Sequence, residues 1–234
     1  MSATVVLVHG AWHGPWCWEP LARELDRLAL PSIAVDLPCE DPAAGLAQFA
    51  ESILDAMAPV DGPITLVGHS LGGLAIALVA AERPVARLVY LCALLPAPGK
   101  SLRDQLAVER DVFVPGFDSG VTREADGRSF WADADAAVAG LYADLEPAVA
   151  RAAVAQLRRQ TQHPNSDVCP LTAQPSVPTT SIVARDDAAI NPAWSIRATR
   201  ERLGIEPTMI DGGHSPMLAR PAELAALLAS ARGR

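Results

Sequence analysis

The chain has 234 residues, half of them hydrophobic, which is enough to bury one substantial core without metal or disulfide staples. Its 27 acidic against 19 basic residues leave a net charge of −8, and no run of Lys and Arg offsets it. Nucleic acid and anionic membranes both call for basic patches, so neither is expected as a partner.

Met1-Ser2-Ala3-Thr4 leads directly into an apolar run, with no basic stretch ahead of a hydrophobic one, so no secretion signal is expected. Cys17, Cys39, Cys92 and Cys169 are scattered without C-x-x-C spacing, and the expectation is a reduced, cytoplasmic protein. Strands are predicted at Val5–His9, Ile33–Asp36, Ile64–Gly68, Leu88–Cys92, Thr180–Ala184 and Thr208–Ile210. Most are continuous hydrophobic runs, as in strands buried on both faces. Helices are predicted at Trp18–Leu30, Leu46–Met57, Leu71–Glu82 and Pro221–Ala231. This alternation is that of a mostly parallel six-stranded α/β sheet with helices on both faces. Between Pro96 and Pro178 it breaks. No convincing strand is seen there, and Asp133–Leu141 and Pro147–Gln160 read as helical. The expected organisation is a core of residues 1–95 and 179–234, with 96–178 inserted as a helical lid over the carboxyl ends of the strands.

Gly68-His69-Ser70-Leu71-Gly72 fits G-x-S-x-G between a predicted strand and a predicted helix. That context makes Ser70 the candidate nucleophile, presented on a sharp, strained turn at the positive end of the following helix. His69, next to it on the turn, reads as structural. After the first strand comes His9-Gly10-Ala11-Trp12-His13-Gly14. Acyl transfer needs two N–H groups for the developing oxyanion, and the backbone N–H groups of Ala11 and Leu71 are the candidates. His9 and His13 are expected to hold this loop, and no metal spacing accompanies them.

In folds that present a serine on such an elbow, the chain order is nucleophile, acid, base. Only His163 and His214 lie downstream of Ser70. His214 sits between the last strand and the last helix and is the expected base, whereas His163 falls in the lid. Two aspartates, Asp186 and Asp187, follow the preceding strand. Asp187, with Ala188-Ala189-Ile190-Asn191-Pro192 after it, is preferred as the acid.

Together these residues resemble the plant methylesterase and hydroxynitrile lyase family and its bacterial esterase relatives. The resemblance runs through the His9–Gly14 loop with Trp16, the Gly68–Gly73 elbow, Ser129-Phe130-Trp131-Ala132-Asp133, Asp187 with Ile190, and Gly213-His214. It implies an α/β-hydrolase fold, a Ser70–Asp187–His214 triad and an Ala11/Leu71 oxyanion hole. The best-known lyase type has threonine in place of Gly10 and lysine directly after the catalytic histidine. Here Gly10 and Ser215 stand at those positions, which turns the reading toward ester hydrolysis.

The expected reaction is carboxylester hydrolysis through an acyl-enzyme on Ser70, with no cofactor and no metal. The glycines after the first strand lack G-x-G-x-x-G spacing. Activity is expected to fall on acidification, as the base is protonated. Trp12, Phe113, Phe117, Phe130, Trp131, Leu141 and Met217 are candidates for the pocket, an apolar lining suited to a small-to-medium hydrophobic ester or lactone. Lyase or C–C cleavage by the same triad, and a non-hydrolytic small-molecule receptor, stay open, as does a homodimer.

Overall fold

The computed structural model describes residues 3–230. Met1 and Ser2, where the leader reading began, and Ala231, the expected end of the last helix, lie outside the described residues. The core strands are β1 (Thr4–Val8), β2 (Ser32–Val35), β3 (Ile64–His69) and β4 (Arg87–Leu91). Three short strands follow, β5 (Val121–Arg123), β6 (Arg128–Trp131) and β7 (Gln160–Thr161), and the chain returns to the core with β8 (Thr179–Ala184) and β9 (Thr208–Ile210). The helices are α1 (Glu19–Arg27), α2 (Leu46–Met57), α3 (Gly72–Glu82), α4 (Leu102–Val108), α5 (Ala134–Leu141) and α6 (Pro147–Val154), then α7 (His163–Ser166), α8 (Pro192–Ala198), α9 (Pro216–Ala219) and α10 (Pro221–Ser230).

The six core strands form one sheet in the order β2-β1-β3-β4-β8-β9, and all its pairings are parallel. Period-two alternation explains why its strands read as unbroken apolar runs. Along β1, Val6 and Val8 enter the cluster with Phe49 of α2 and Ile76 of α3. Val5 and Leu7 face Leu21 of α1 and Leu228 of α10. The chain leaves β1 toward β2 on one side and returns through α2 to β3 on the other. The switch point therefore lies between the carboxyl ends of β1 and β3, where sheets of this kind leave a crevice for ligands.

Two predicted helices are shorter than expected. The first ends at Arg27 because Ala29 turns left-handed at φ 54°, and the Leu30 N–H folds back onto the Leu25 carbonyl at 2.9 Å. The other, α6, stops at Val154. The following residues turn toward the core, and the Arg158 N–H reaches the Trp12 carbonyl at 2.7 Å.

The segment between β4 and β8 corrects the expectation of a purely helical lid. It carries α4 to α7, but also β5, β6 and β7 as an antiparallel three-stranded sheet. These strands are two to four residues long and rich in Arg, Thr, Ser and Gln, so no apolar run announced them. No helix among the described residues is long and apolar enough to cross a membrane. All four cysteines are unpaired and buried.

Candidate active site

Ser70 occupies the turn between β3 and α3 at φ 51°, a left-handed conformation that costs a non-glycine residue about 1–2 kcal/mol. Two contacts hold it there: the Ser70 N–H donates to the Leu91 carbonyl at 3.2 Å, and the Leu94 N–H donates to the Ser70 carbonyl at 3.0 Å. The start of α3 presses directly on the end of β1. A Cβ on Gly72 would lie 2.7 Å from the His9 carbonyl oxygen, so only glycine lets helix and strand meet this closely.

The loop after β1 lies against this turn. A Cβ on Gly10 would come within 2.7 Å of the Ser70 Cβ. Ala11, Ser70 and Leu71 line the same cavity, about 200 Å³ in volume. Among the described residues, neither the Ala11 N–H nor the Leu71 N–H donates to a protein group.

His214 Nδ1 lies 3.0 and 2.9 Å from the two carboxylate oxygens of Asp187. Both side chains are buried. Asp187 Oδ1 also accepts from the N–H groups of Ala189 and Ile190, at 2.8 and 2.9 Å, which fixes the carboxylate from its own loop. Its neighbour Asp186 is exposed and only its backbone is engaged, through an N–H to the Gly212 carbonyl. Asp187, and not Asp186, therefore meets the imidazole. With Nδ1 on the carboxylate, His214 Nε2 makes no hydrogen bond among the described residues, and none joins it to Ser70. Such contacts are often long before substrate binds. His163 starts α7, away from this cluster.

The three remaining histidines are buried and structural. His69 Nε2 donates to the His214 carbonyl at 2.9 Å, tying the nucleophile turn to the His214 loop. Burial holds its pKa well below the ordinary value. His9 Nδ1 donates to the Gly10 carbonyl and its Nε2 accepts from the Leu37 N–H; burial lowers its pKa as well. His13 Nδ1 donates to the Ala11 carbonyl at 2.7 Å, and its Nε2 accepts from the Tyr142 hydroxyl at 2.8 Å. Burial pushes His13 down to about 3. All three rings are neutral at physiological pH.

A model of the alpha/beta hydrolase family matches residues 5–227. The chain is an alpha/beta hydrolase. It is 27% identical to the alpha/beta hydrolase nvfD of Aspergillus novofumigatus, over all of this chain and 98% of that protein. It is also 36% identical to Methylesterase 3 of Arabidopsis thaliana, but that match spans only 39% of this chain and 40% of the relative. The solved structure of polyneuridine aldehyde esterase covers 99% of both chains with a TM-score of 0.85 at 18% identity, which shows a shared fold.

The hydrolase's cavity is mainly apolar, as expected, but only some of the expected residues line it. Trp12, Phe113 and Phe117 line it, but Phe130, Trp131, Leu141 and Met217 do not. Phe130 alternates onto the opposite face of the small sheet, beneath the Arg159 guanidinium. Trp131 stands behind the wall, edge-on to Trp12 and Phe117. Leu141 belongs to the cluster inside the inserted segment, and Met217 is sealed in the core beside α1 and α10. In their place the segment contributes polar residues, Asp118, Arg123, Ser129, Gln160, Gln162 and Asn165.

The same segment supplies groups that sequence reasoning missed. Trp12 sits left-handed at φ 62°. Its N–H donates to Gln160 Oε1 at 3.3 Å, its carbonyl accepts the Arg158 N–H, and its indole donates to Ser129 Oγ at 3.1 Å. Arg158 Nε donates to the His13 carbonyl at 2.9 Å, and Asp144 accepts the Gly213 N–H at 2.9 Å. Both loops beside Ser70 are thus gripped from above. Among the described residues, no group of three or more His, Cys, Asp and Glu is placed to hold a metal ion.

Proposed function

We propose that this alpha/beta hydrolase cleaves carboxylic esters through an acyl-enzyme on Ser70. The observation that carries this reading is the position of Ser70, left-handed at the turn and flanked in one cavity by the unpaired N–H groups of Ala11 and Leu71. Ser70 Oγ attacks the ester carbonyl while His214 Nε2 takes its proton, and Asp187 holds the imidazole by Nδ1 and stabilises the imidazolium. The negative carbonyl oxygen of the tetrahedral intermediate lies between the N–H groups of Ala11 and Leu71. Collapse expels the alcohol, which takes the proton back from His214. Water then attacks the acyl group with the same base, releasing the acid and restoring Ser70.

The esterase and methylesterase relatives support ester hydrolysis as the reaction. Cyanohydrin cleavage is less well supported. Threonine at position 10, the lyase residue, would bring its Cβ to 2.7 Å from that of Ser70, and Ser215 follows His214 where the lyase type has lysine.

The test is hydrolysis of p-nitrophenyl esters of increasing acyl length, with Ser70→Ala alongside. Turnover in the wild type and a loss of at least about a thousandfold in the variant are expected. A folded wild type that cleaves no ester in the series would overturn the reading and favour a lyase or a ligand receptor.

A further inference from the structure

The cavity above Ser70 has two unlike walls. Leu102 and Leu106 of α4, with Phe113 and Ile190, make one of them apolar. The other comes from the small sheet and α7, and it carries charge.

Three arginines stand on or beside that sheet. Arg128 pairs with Asp126 and Glu124, and Arg159 pairs with Glu124. Arg123 has no carboxylate within 4 Å among the described residues. Register separates it from Arg128. Arg123 lies opposite Ser129, and both line the cavity, whereas Thr122 pairs with Phe130 on the other face. Arg123 is also held in place. Its Nη1 donates to Gln162 Oε1 at 3.1 Å, and that oxygen accepts from Asn165 Nδ2 at 2.9 Å as well. Gln162 Nε2 in turn donates to Ser129 Oγ at 2.8 Å. Of five guanidinium donors, one is engaged by protein among the described residues, and the Nε/Nη2 edge that takes a carboxylate through two parallel bonds makes no bond to them. Arg123 is exposed to solvent, but it is tethered, lines the cavity and has no counter-ion among the described residues, so it is placed to take an anion from the ligand.

We propose that the substrate is an ester carrying a second, carboxylate group, with its hydrocarbon part against the α4 wall and its carboxylate on Arg123. The proposal rests on the ester-hydrolase reading for the bond that is broken; Arg123 determines which ester is taken. Asp118 is the single acidic residue lining the cavity among the described residues, and it forms no ion pair with Arg123. It opposes the anion, so the two residues have opposite effects.

The experiment compares monomethyl esters of C4 to C8 aliphatic dicarboxylic acids with methyl esters of monocarboxylic acids of matching length. Binding to Ser70→Ala is followed by calorimetry, and turnover by the wild type in a pH-stat. At the length that spans Ser70 to Arg123, the half-ester is expected to bind at least tenfold more tightly than its neutral counterpart. Adding Arg123→Gln removes that advantage, Arg123→Lys restores part of it, Asp118→Asn enlarges it, and 0.5 M NaCl shrinks it. Unfolding midpoints show that each variant is folded. No advantage at any length, or an advantage that survives Arg123→Gln, overturns the proposal. Binding with this pattern and no wild-type turnover would leave the anion subsite standing and sink the hydrolase reading. Turnover of neutral esters without a half-ester preference would do the reverse.

Discussion

The two sides of the cavity are built by different means. On the sheet side, the working groups sit in loops at strand ends and are fixed by bonds within those loops or to the adjoining strand end. Ser70 is held by backbone bonds to Leu91 and Leu94, and Asp187 by the N–H groups two and three residues on. On the inserted side, the working groups are side chains that reach across the fold, such as Gln160 to Trp12, Tyr142 to His13 and Asp144 to Gly213. On the proposed reaction, the sheet side carries the atoms that react, and the inserted side holds their loops and completes the cavity lining.

The sharpest way to break this division is at the acid. Asp187→Asn keeps the shape but reverses the preferred tautomer of His214, and it is expected to lower kcat by about 10³–10⁴-fold while the protein stays folded. Asp186→Asn, at an exposed carboxylate, is expected to change kcat by less than about twofold. Steady-state kinetics on a p-nitrophenyl ester decide it. Similar losses in both variants would mean that position next to His214 does not define the acid.

A smaller effect is expected from the inserted side. Gln160→Ala removes the acceptor for the N–H of a residue held left-handed directly after Ala11. The Ala11 N–H then points less firmly at the oxyanion, and kcat is expected to fall about 10- to 100-fold with a smaller change in KM. Gln160→Glu retains an acceptor and should recover part of the loss. An unchanged kcat would show that the sheet side positions the oxyanion loop unaided.

The same division accounts for what the amino-acid sequence disclosed. The turns that carry Ser70, Ala11, Leu71 and His214 were legible because turn chemistry at strand ends is local: a glycine-flanked serine and a His between the last strand and helix carry their own context. The choice between Asp186 and Asp187 also followed from the residues just after them. Tyr142, Asp144, Arg158 and Gln160 act on partners 69 to 148 positions away, and no periodicity encodes such a contact. Phe130 and Trp131 illustrate the cost of missing a strand, since adjacent residues on β6 point to opposite faces and only the register says which. One signal was present and passed over. Asp126-Gly127, with Gly127 at φ 87°, ends the tight turn over residues 124–127 that joins β5 to β6.

The smallest effect tests the seam between the two regions. His13 holds the Ala11 carbonyl with one ring nitrogen and Tyr142 of the inserted segment with the other, and burial keeps it neutral down to about pH 3. In the unfolded chain its imidazole takes up a proton near pH 6.5. Below that pH the unfolded state binds a proton that the folded state refuses. Stability from this group is thus complete above pH 6.5 and is lost as the pH falls toward 3. Between pH 7.5 and 5.5 the loss attributable to His13 is about 1.4 kcal/mol, one proton's worth per pH unit below the unfolded value. His13→Gln can still donate to the carbonyl and accept from Tyr142, but it does not titrate. Urea unfolding should therefore show a wild type that weakens on acidification, with the variant's pH slope shallower by about one proton. Equal slopes in the two proteins would mean that His13 is protonated in the folded state, and so does not join the oxyanion loop to the inserted segment as a neutral ring.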